Sequence, residues 1–347
     1  MKHFVFYFIT FIITYFIYVY PFDIIQYNLN SSQFNPYTTL ASTAIIYCFV
    51  ILYLKTKITF LPLRIFVYEG LGVGFISFWI VNISLFLSFL FFNKTKLIFS
   101  ICLILILILV LYSFTNARKV KVKNITLNSS KVKKKYSFIF ISDVHLGTNN
   151  ISHLNTIIKK INNIDYNFIL IGGDLIDSSS FQIENLSIFK KINSPIYFVT
   201  GNHEYYIENY KKKLNKLSQF NIKMLKNKSI DFSEMNIIGI DENLNTKDQL
   251  EVFKKNYNTS KFNITLVHKP LIWDEIKNKN ELMLSGHTHN GQIFPFNKIV
   301  QLKFKYVYGL YESQRSNLYV SSGCACWGPK MRLGSENEII HFNICKL

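Results

Sequence analysis

Charge is nearly absent from the first third of this 347-residue chain and returns at ordinary density after about residue 115. A stretch that apolar has little use for a water-facing surface. A helix of about 20 apolar residues satisfies its own backbone and crosses a bilayer. Four runs fit that length: residues 4–21, 39–54, 68–92 and 97–114. The first opens after Lys2 and ends in Tyr-Val-Tyr-Pro-Phe-Asp, without a small-residue cleavage site, so it reads as an uncleaved span rather than a signal peptide. Gly70, Gly72 and Gly74 in the third run predict close helix packing. Glu69 lies at the edge of that run, where water can solvate it, so the helices are expected to anchor the chain rather than to transport.

Orientation follows Lys and Arg. Lys2 precedes the first run, and residues 21–37 contain no Lys or Arg. Lys55, Lys57 and Arg64 follow the second run, and Arg118, Lys119, Lys121, Lys123, Lys131, Lys133, Lys134 and Lys135 follow the fourth. Four spans then leave both termini in the cytoplasm, with Lys94 and Lys96 as an exception in an outer loop. The net charge of +18 lies mostly after residue 116, where it suits anionic headgroups; no nucleic-acid motif accompanies it, and no nucleic-acid partner is expected. Five cysteines without metal or redox spacing are expected to be ordinary small residues of a reducing compartment. The expected organisation is a transmembrane region (1–116), a basic juxtamembrane linker (117–135) and a globular domain (136–347).

In the globular part, apolar runs at 137–142, 168–171, 196–200, 237–240, 264–267 and 282–284 read as buried strands. Between them, 150–163, 181–191 and 207–220 read as helices, which predicts a layered α/β domain. Five strands end in polar sets: Asp143-Val144-His145, Gly173-Asp174 followed by Asp177, Gly201-Asn202-His203-Glu204, His268-Lys269-Pro270 and Gly286-His287-Thr288-His289. Each set alone is weak, but five in register along one sheet edge are not chance, and ligands bind at the carboxyl ends of strands. Carboxylate, amide oxygen and imidazole without thiolate suit Mn²⁺, Fe or Zn²⁺, and there are enough donors for two ions sharing one carboxylate. The glycines beside them are expected to let substrate oxygens approach.

These motifs in this order resemble the calcineurin-like metallophosphoesterases, in a branch with N-terminal transmembrane helices. The resemblance implies a β-sandwich flanked by helices in α/β/β/α layers, so a single open sheet is only a first approximation. It implies a first divalent ion on Asp143, His145 and His289, a second on Asn202, His268 and His287, and Asp174 bridging both. His203 matches the catalytic imidazole, which stabilises phosphoryl oxygens or protonates the leaving group, and Asp177 the carboxylate that orients it. The activity implied is hydrolysis of a phosphate ester or pyrophosphate by in-line attack of a hydroxide bridging the two ions. A non-catalytic membrane scaffold that keeps the fold is the alternative, although it would not need His203.

The tail from Gly323 to Ile339 resembles the ending of the membrane-associated branch, where W-G-P and R-x-G-S close the active-site face. Arg332 is then a candidate contact for substrate phosphate, against a surface Arg held by Glu336 or Glu338. Serines follow Asp177 where protein phosphatases of the superfamily carry Arg-Gly, so a phosphoprotein substrate is not expected. The expected partners are a lipid bilayer and a phosphorylated small molecule or lipid. Asn290 stands where the branch has Gly and is expected to tolerate a left-handed turn. His153, His341 and Lys211 to Lys213 are expected to be structural or solvated.

Overall fold

A computed structural model describes residues 2–30, 35–55, 60–314 and 316–347; Lys57 lies outside them. Two compact units emerge: Met1–Asn116 with Gly328–Leu333, and Ala117–Trp327 with Gly334–Leu347.

The first unit has four helices long and apolar enough to cross a membrane: Phe4–Asn30, Pro36–Lys55, Leu61–Leu90 and Phe92–Ala117. Large apolar side chains such as Phe86, Ile104 and Leu107 stand exposed on them, a face that lipid accepts and water penalises. The first helix carries a π-helical turn at Tyr15–Val19, and the third packs against it there. A Cβ on Gly74 would lie 2.0 Å from the Ile17 carbonyl oxygen, so glycine is what permits that approach, as the sequence predicts. The third helix begins earlier than expected, which sets Glu69 within it. Its carboxylate is not left to water: it accepts a hydrogen bond from the Lys330 backbone N–H at 2.9 Å.

The second unit is a sandwich of two six-stranded sheets. The strands in chain order are β1 (Val120–Ser129), β2 (Tyr136–Ile141), β3 (Phe168–Ile171), β4 (Ile196–Phe198), β5 (Ile222–Met224), β6 (Lys228–Phe232), β7 (Met235–Gly239), β8 (Phe262–Leu266), β9 (Leu282–Ser285), β10 (Gly309–Ser313), β11 (Ser316–Val320) and β12 (Asn337–Lys346). Sheet one has the order β1-β12-β2-β3-β4-β5 and sheet two β10-β11-β9-β8-β7-β6. Strands β2 to β5 run parallel, as do β7, β8, β9 and β11.

Side-chain alternation builds the layers. Phe138, Phe140, Phe168 and Leu170 of sheet one meet Ile237, Ile264, Leu282 and Leu284 of sheet two between the sheets. Their neighbours Ile139, Ile141, Ile169 and Ile171 turn outward onto Leu154, Ile157 and Ile161 of the helix Ile151–Ile161. On the far side, Ile238, Met283 and Val320 pack against Phe253 and Trp273. The result is the four-layer α/β/β/α arrangement. A strand buried on both faces reads as an unbroken apolar run, which is why β2 and β3 are visible in the sequence.

Three expectations need correction. The five strand ends do not share one sheet edge: β2, β3 and β4 belong to sheet one, and β8 and β9 to sheet two. The stretch expected as a linker holds β1, an edge strand paired in parallel with β12 over ten residues; Val122, Asn124, Thr126 and Asn128 form its exposed face, while Lys121 and Lys123 lie on the other side and pair with Glu336 and Glu338. The helix expected over 207–220 is broken into Tyr210–Asn215 and a 3₁₀ turn at Leu217–Phe220, and a separate short helix, Asn202–Tyr206, precedes it. In the Tyr210–Asn215 helix Lys213 is not simply solvated, since its Nζ donates to the carbonyls of Ser179 and Phe181 at 2.7 and 2.8 Å.

Candidate metal centre

The loops that follow β2, β3, β4, β8 and β9 converge, and three overlapping groups of donors result: Asp143, His145 and His289; Asp174, His268 and His287; and His145, Asp174 and His203, each with its ligand atoms within 4.8 Å of one another. The first group has the residues expected for one ion; the second brings His268 and His287, two of the three expected for the other, together with Asp174. The third joins them through His145 and Asp174, so all three form one continuous centre. Asp174 Oδ2 lies 3.1 Å from His268 Nε2, 3.8 Å from His145 Nε2 and 3.9 Å from His203 Nε2, the position of a shared carboxylate. His145 Nε2 faces His289 Nε2 at 3.1 Å, and His268 Nε2 faces His287 Nδ1 at 3.3 Å. Pairs of imidazole nitrogens turned toward each other at such distances suit a cation held between them.

The backbone is bent to achieve this. Asp143, His145, Asp174, His287 and His289 all have positive φ, from 50° to 74°. Left-handed backbone at a non-glycine residue costs on the order of 1–3 kcal/mol, and it persists where function holds it. Asn290 adopts φ 51°, as expected. Gly173 (φ 93°) has a different role from the one expected: a Cβ there would lie 2.7 Å from both Gly201 N and His268 Nδ1, so its space is taken by the facing loop.

Buried partners fix the loops. Glu204 accepts from the backbone N–H groups of Asp174, Gly201 and Ile176 at 2.7 to 3.0 Å, tying the β3 loop to the β4 loop. Burial, and then the Asp174 charge, push its pKa up to about 7. Asp143 accepts from His287 N at 3.2 Å, which joins sheet one to sheet two. His268 Nδ1 lies 2.8 Å from the Gly172 carbonyl, so Nδ1 carries a proton and donates to that oxygen, and Nε2 is aimed at Asp174.

Asp177 does not orient His203 as expected. Its Oδ2 lies 3.3 Å from His145 Nδ1, and its other oxygen accepts from Thr148 N at 2.9 Å. It is therefore placed to set the ring of a candidate ligand histidine, where a carboxylate beside the second nitrogen would raise the basicity of the first toward a cation. His203 is positioned by rings instead: His145 edge-on at 4.8 Å, Tyr206 at 5.4 Å and Trp327 at 5.2 Å. Trp327 is held in place by Gln292, whose side chain accepts from Trp327 N at 3.0 Å and donates to Trp327 O at 3.1 Å. The W-G-P triplet signalled a closing segment but not this contact. The same segment is bonded to the first ligand loop, through Cys324 N to Ser142 O at 2.8 Å and Asn149 Nδ2 to Cys326 O at 2.7 Å. His153, expected on a helix surface, places Nε2 2.9 Å from the Cys324 carbonyl.

Arg332 is not a surface residue: its exposure is 0%, it belongs to the unit of the apolar helices, and its N–H donates to Ser113 O at 3.0 Å. Glu336 and Glu338 pair with Lys121 and Lys123.

The donor set fits divalent cations. Asn202 Oδ1 is buried without a hydrogen-bond partner, an acceptor that a cation would satisfy. Burial, with the His268 charge, lowers the His287 pKa to about 2, which keeps that ligand neutral. Burial disfavours charge on His268 as well, but Asp174 and Asp143 overcome it and raise its pKa to about 10, so a proton and a cation compete for the same nitrogen. Burial lowers His203 to about 4.

The family profile for calcineurin-like phosphoesterases matches residues 136–291. An uncharacterized metallophosphoesterase of Campylobacter jejuni is 36% identical over 228 residues, covering 61% of this chain and 60% of that protein. One of Aquifex aeolicus is 30% identical and covers 57% of this chain and 81% of its own length. A transmembrane protein with metallophosphoesterase domain from Bos taurus is 30% identical, covering 58% of this chain and 51% of that protein. The chain spans about three-fifths of the Campylobacter protein.

Proposed function

Because the chain belongs to the calcineurin-like metallophosphoesterases, we propose that this membrane-associated phosphoesterase works with two divalent ions, one on Asp143, His145 and His289 and one on Asn202, His268 and His287, with Asp174 between them. The observation that carries this is the position of Asp174 within reach of His145, His203 and His268 at once. Two such ions supply Lewis acidity and a water of lowered pKa for attack on phosphorus.

The chain's own groups then have distinct tasks. His203, neutral at pH 7 with its pKa near 4 and its side chain 15% exposed, offers an N–H to a phosphoryl or leaving oxygen. Trp327 and Tyr206 hold that imidazole and keep water from one of its faces. Asp177 orients His145, and the Gly172 carbonyl orients His268.

The four apolar helices anchor the chain as a multi-pass protein with the catalytic unit in the cytoplasm, on the distribution of Lys and Arg. A reporter fused after Leu347 tests that side. The chemistry is tested with purified full-length chain and Mn²⁺ on bis-p-nitrophenyl phosphate, a phosphomonoester and a pyrophosphate. Hydrolysis that a chelator removes and metal restores is expected. No hydrolysis of any of the three, with less than about one bound ion per chain, rejects the proposal.

A further inference from the structure

Between the ligand His289 and Phe304, whose ring lies 5.2 Å from that of the ligand His287, the chain makes an excursion pinned to the metal centre at both ends. Within it Phe294, Phe296, Ile299 and Leu302 are exposed large apolar side chains, Leu302 at 87%. Phe296, Ile299 and Leu302 follow at three-residue spacing on and just beyond the short helix Phe296–Gln301, which gathers them on one side. Trp327, 45% exposed, joins the excursion through its two hydrogen bonds to Gln292 and touches His203 with its ring. An apolar cluster this exposed at the mouth of a polar centre marks an interaction surface.

We propose that this ridge is a lipid-contact surface, along which the acyl portion of a membrane-borne phosphate ester lies while its phosphate reaches the metal centre. The inference rests on the phosphoesterase reading and adds the substrate class. Two observations choose lipid over a second copy of the chain. Lys298 and Lys303 are exposed within the ridge, and Lys305 beside it is paired with Asp274; two exposed cations among apolar side chains suit anionic headgroups and repel a second copy of themselves. The same chain carries four helices fit to cross a bilayer, so a lipid surface is always within its tether. Apolar contact remote from the reacting phosphate lowers the barrier only for substrates that carry the acyl part.

The test uses full-length chain reconstituted in phosphatidylcholine vesicles containing phosphatidylglycerol. Tryptophan emission is compared between the parent and Leu302→Trp, so that the added signal reports position 302 alone. Quenching of that signal by acyl-brominated lipid is expected. In parallel, turnover of a vesicle-borne long-chain lipid phosphate is divided by turnover of bis-p-nitrophenyl phosphate. In the double variant Phe296→Ser and Leu302→Ser this ratio is expected to fall about tenfold. An unquenched signal, or a ratio unchanged because both activities fall together, overturns the ridge proposal; a change of oligomeric state with no quenching does so in favour of self-association. If the parent hydrolyses neither compound, the phosphoesterase reading fails, and the quenching alone upholds or rejects the lipid contact.

Discussion

Sheet one delivers every carboxylate of the centre, Asp143, Asp174 and Asp177, whereas sheet two delivers only imidazoles, His268, His287 and His289. Negative charge that balances a cation thus comes from one layer alone, although sheet one also supplies His145, Asn202 and His203. Buried Asp143 shows the strain within sheet one: desolvation and the Asp174 charge raise its pKa, while His268 opposes them from across the interface. A pair of cations would therefore act as a staple between the layers, complete only when both are packed.

The contrast can be broken at four points. The largest effect is expected for Asp174→Ala, which removes the carboxylate proposed to be common to both ions. Hydrolysis should fall by about 10³-fold or more, and bound metal should drop for both sites, measured by elemental analysis. Near-normal activity would show that sheet one does not hold the shared position. His287→Ala, on sheet two, removes a neutral donor and should lower metal content by about one ion per chain while the other site stays loaded. Loss of both ions would mean that the layers cannot be separated this way.

Asp177→Asn should weaken metal affinity by about 10–100-fold, through His145, without changing the pH profile set by His203. An altered profile with unchanged affinity would instead restore a direct role toward His203. The smallest effect concerns pH. The folded pKa of His268 is raised to about 10 above its ordinary 6.5, so its contribution to stability is complete below 6.5 and is lost as pH rises through 10. In chelator-treated chain the urea midpoint should decline across that window. Metal-loaded chain, whose His268 carries no proton to lose, should lack this decline.

Much of the centre was legible because its ligands follow directly on strands buried on both faces. β2 and β3 announce themselves as apolar runs, and Asp143 and Asp174 stand just beyond their ends. Chain order, however, does not say which strands share a sheet, so β8 and β9 were placed beside β2 to β4 instead of opposite them. β1 was hidden by lysines that belong to an edge strand, and β10 and β11 by mixed polarity. The partner of Asp177 depends on a left-handed turn at His145 that no propensity predicts, and the contact of Trp327 with His203 depends on a loop arriving from the far end of the chain.

The parallel pairing of β1 with β12 has a consequence for biogenesis. Asn124 and His341, side by side in the finished sheet, are separated by 217 positions along the polypeptide. The strand that emerges just after the apolar helices must therefore wait, with its ladder unmade, until nearly the whole catalytic unit has been synthesised. Long-range pairing of this kind is slow and exposes an open strand meanwhile. Alternating lysines on β1 discourage other chains from adding to it during that delay.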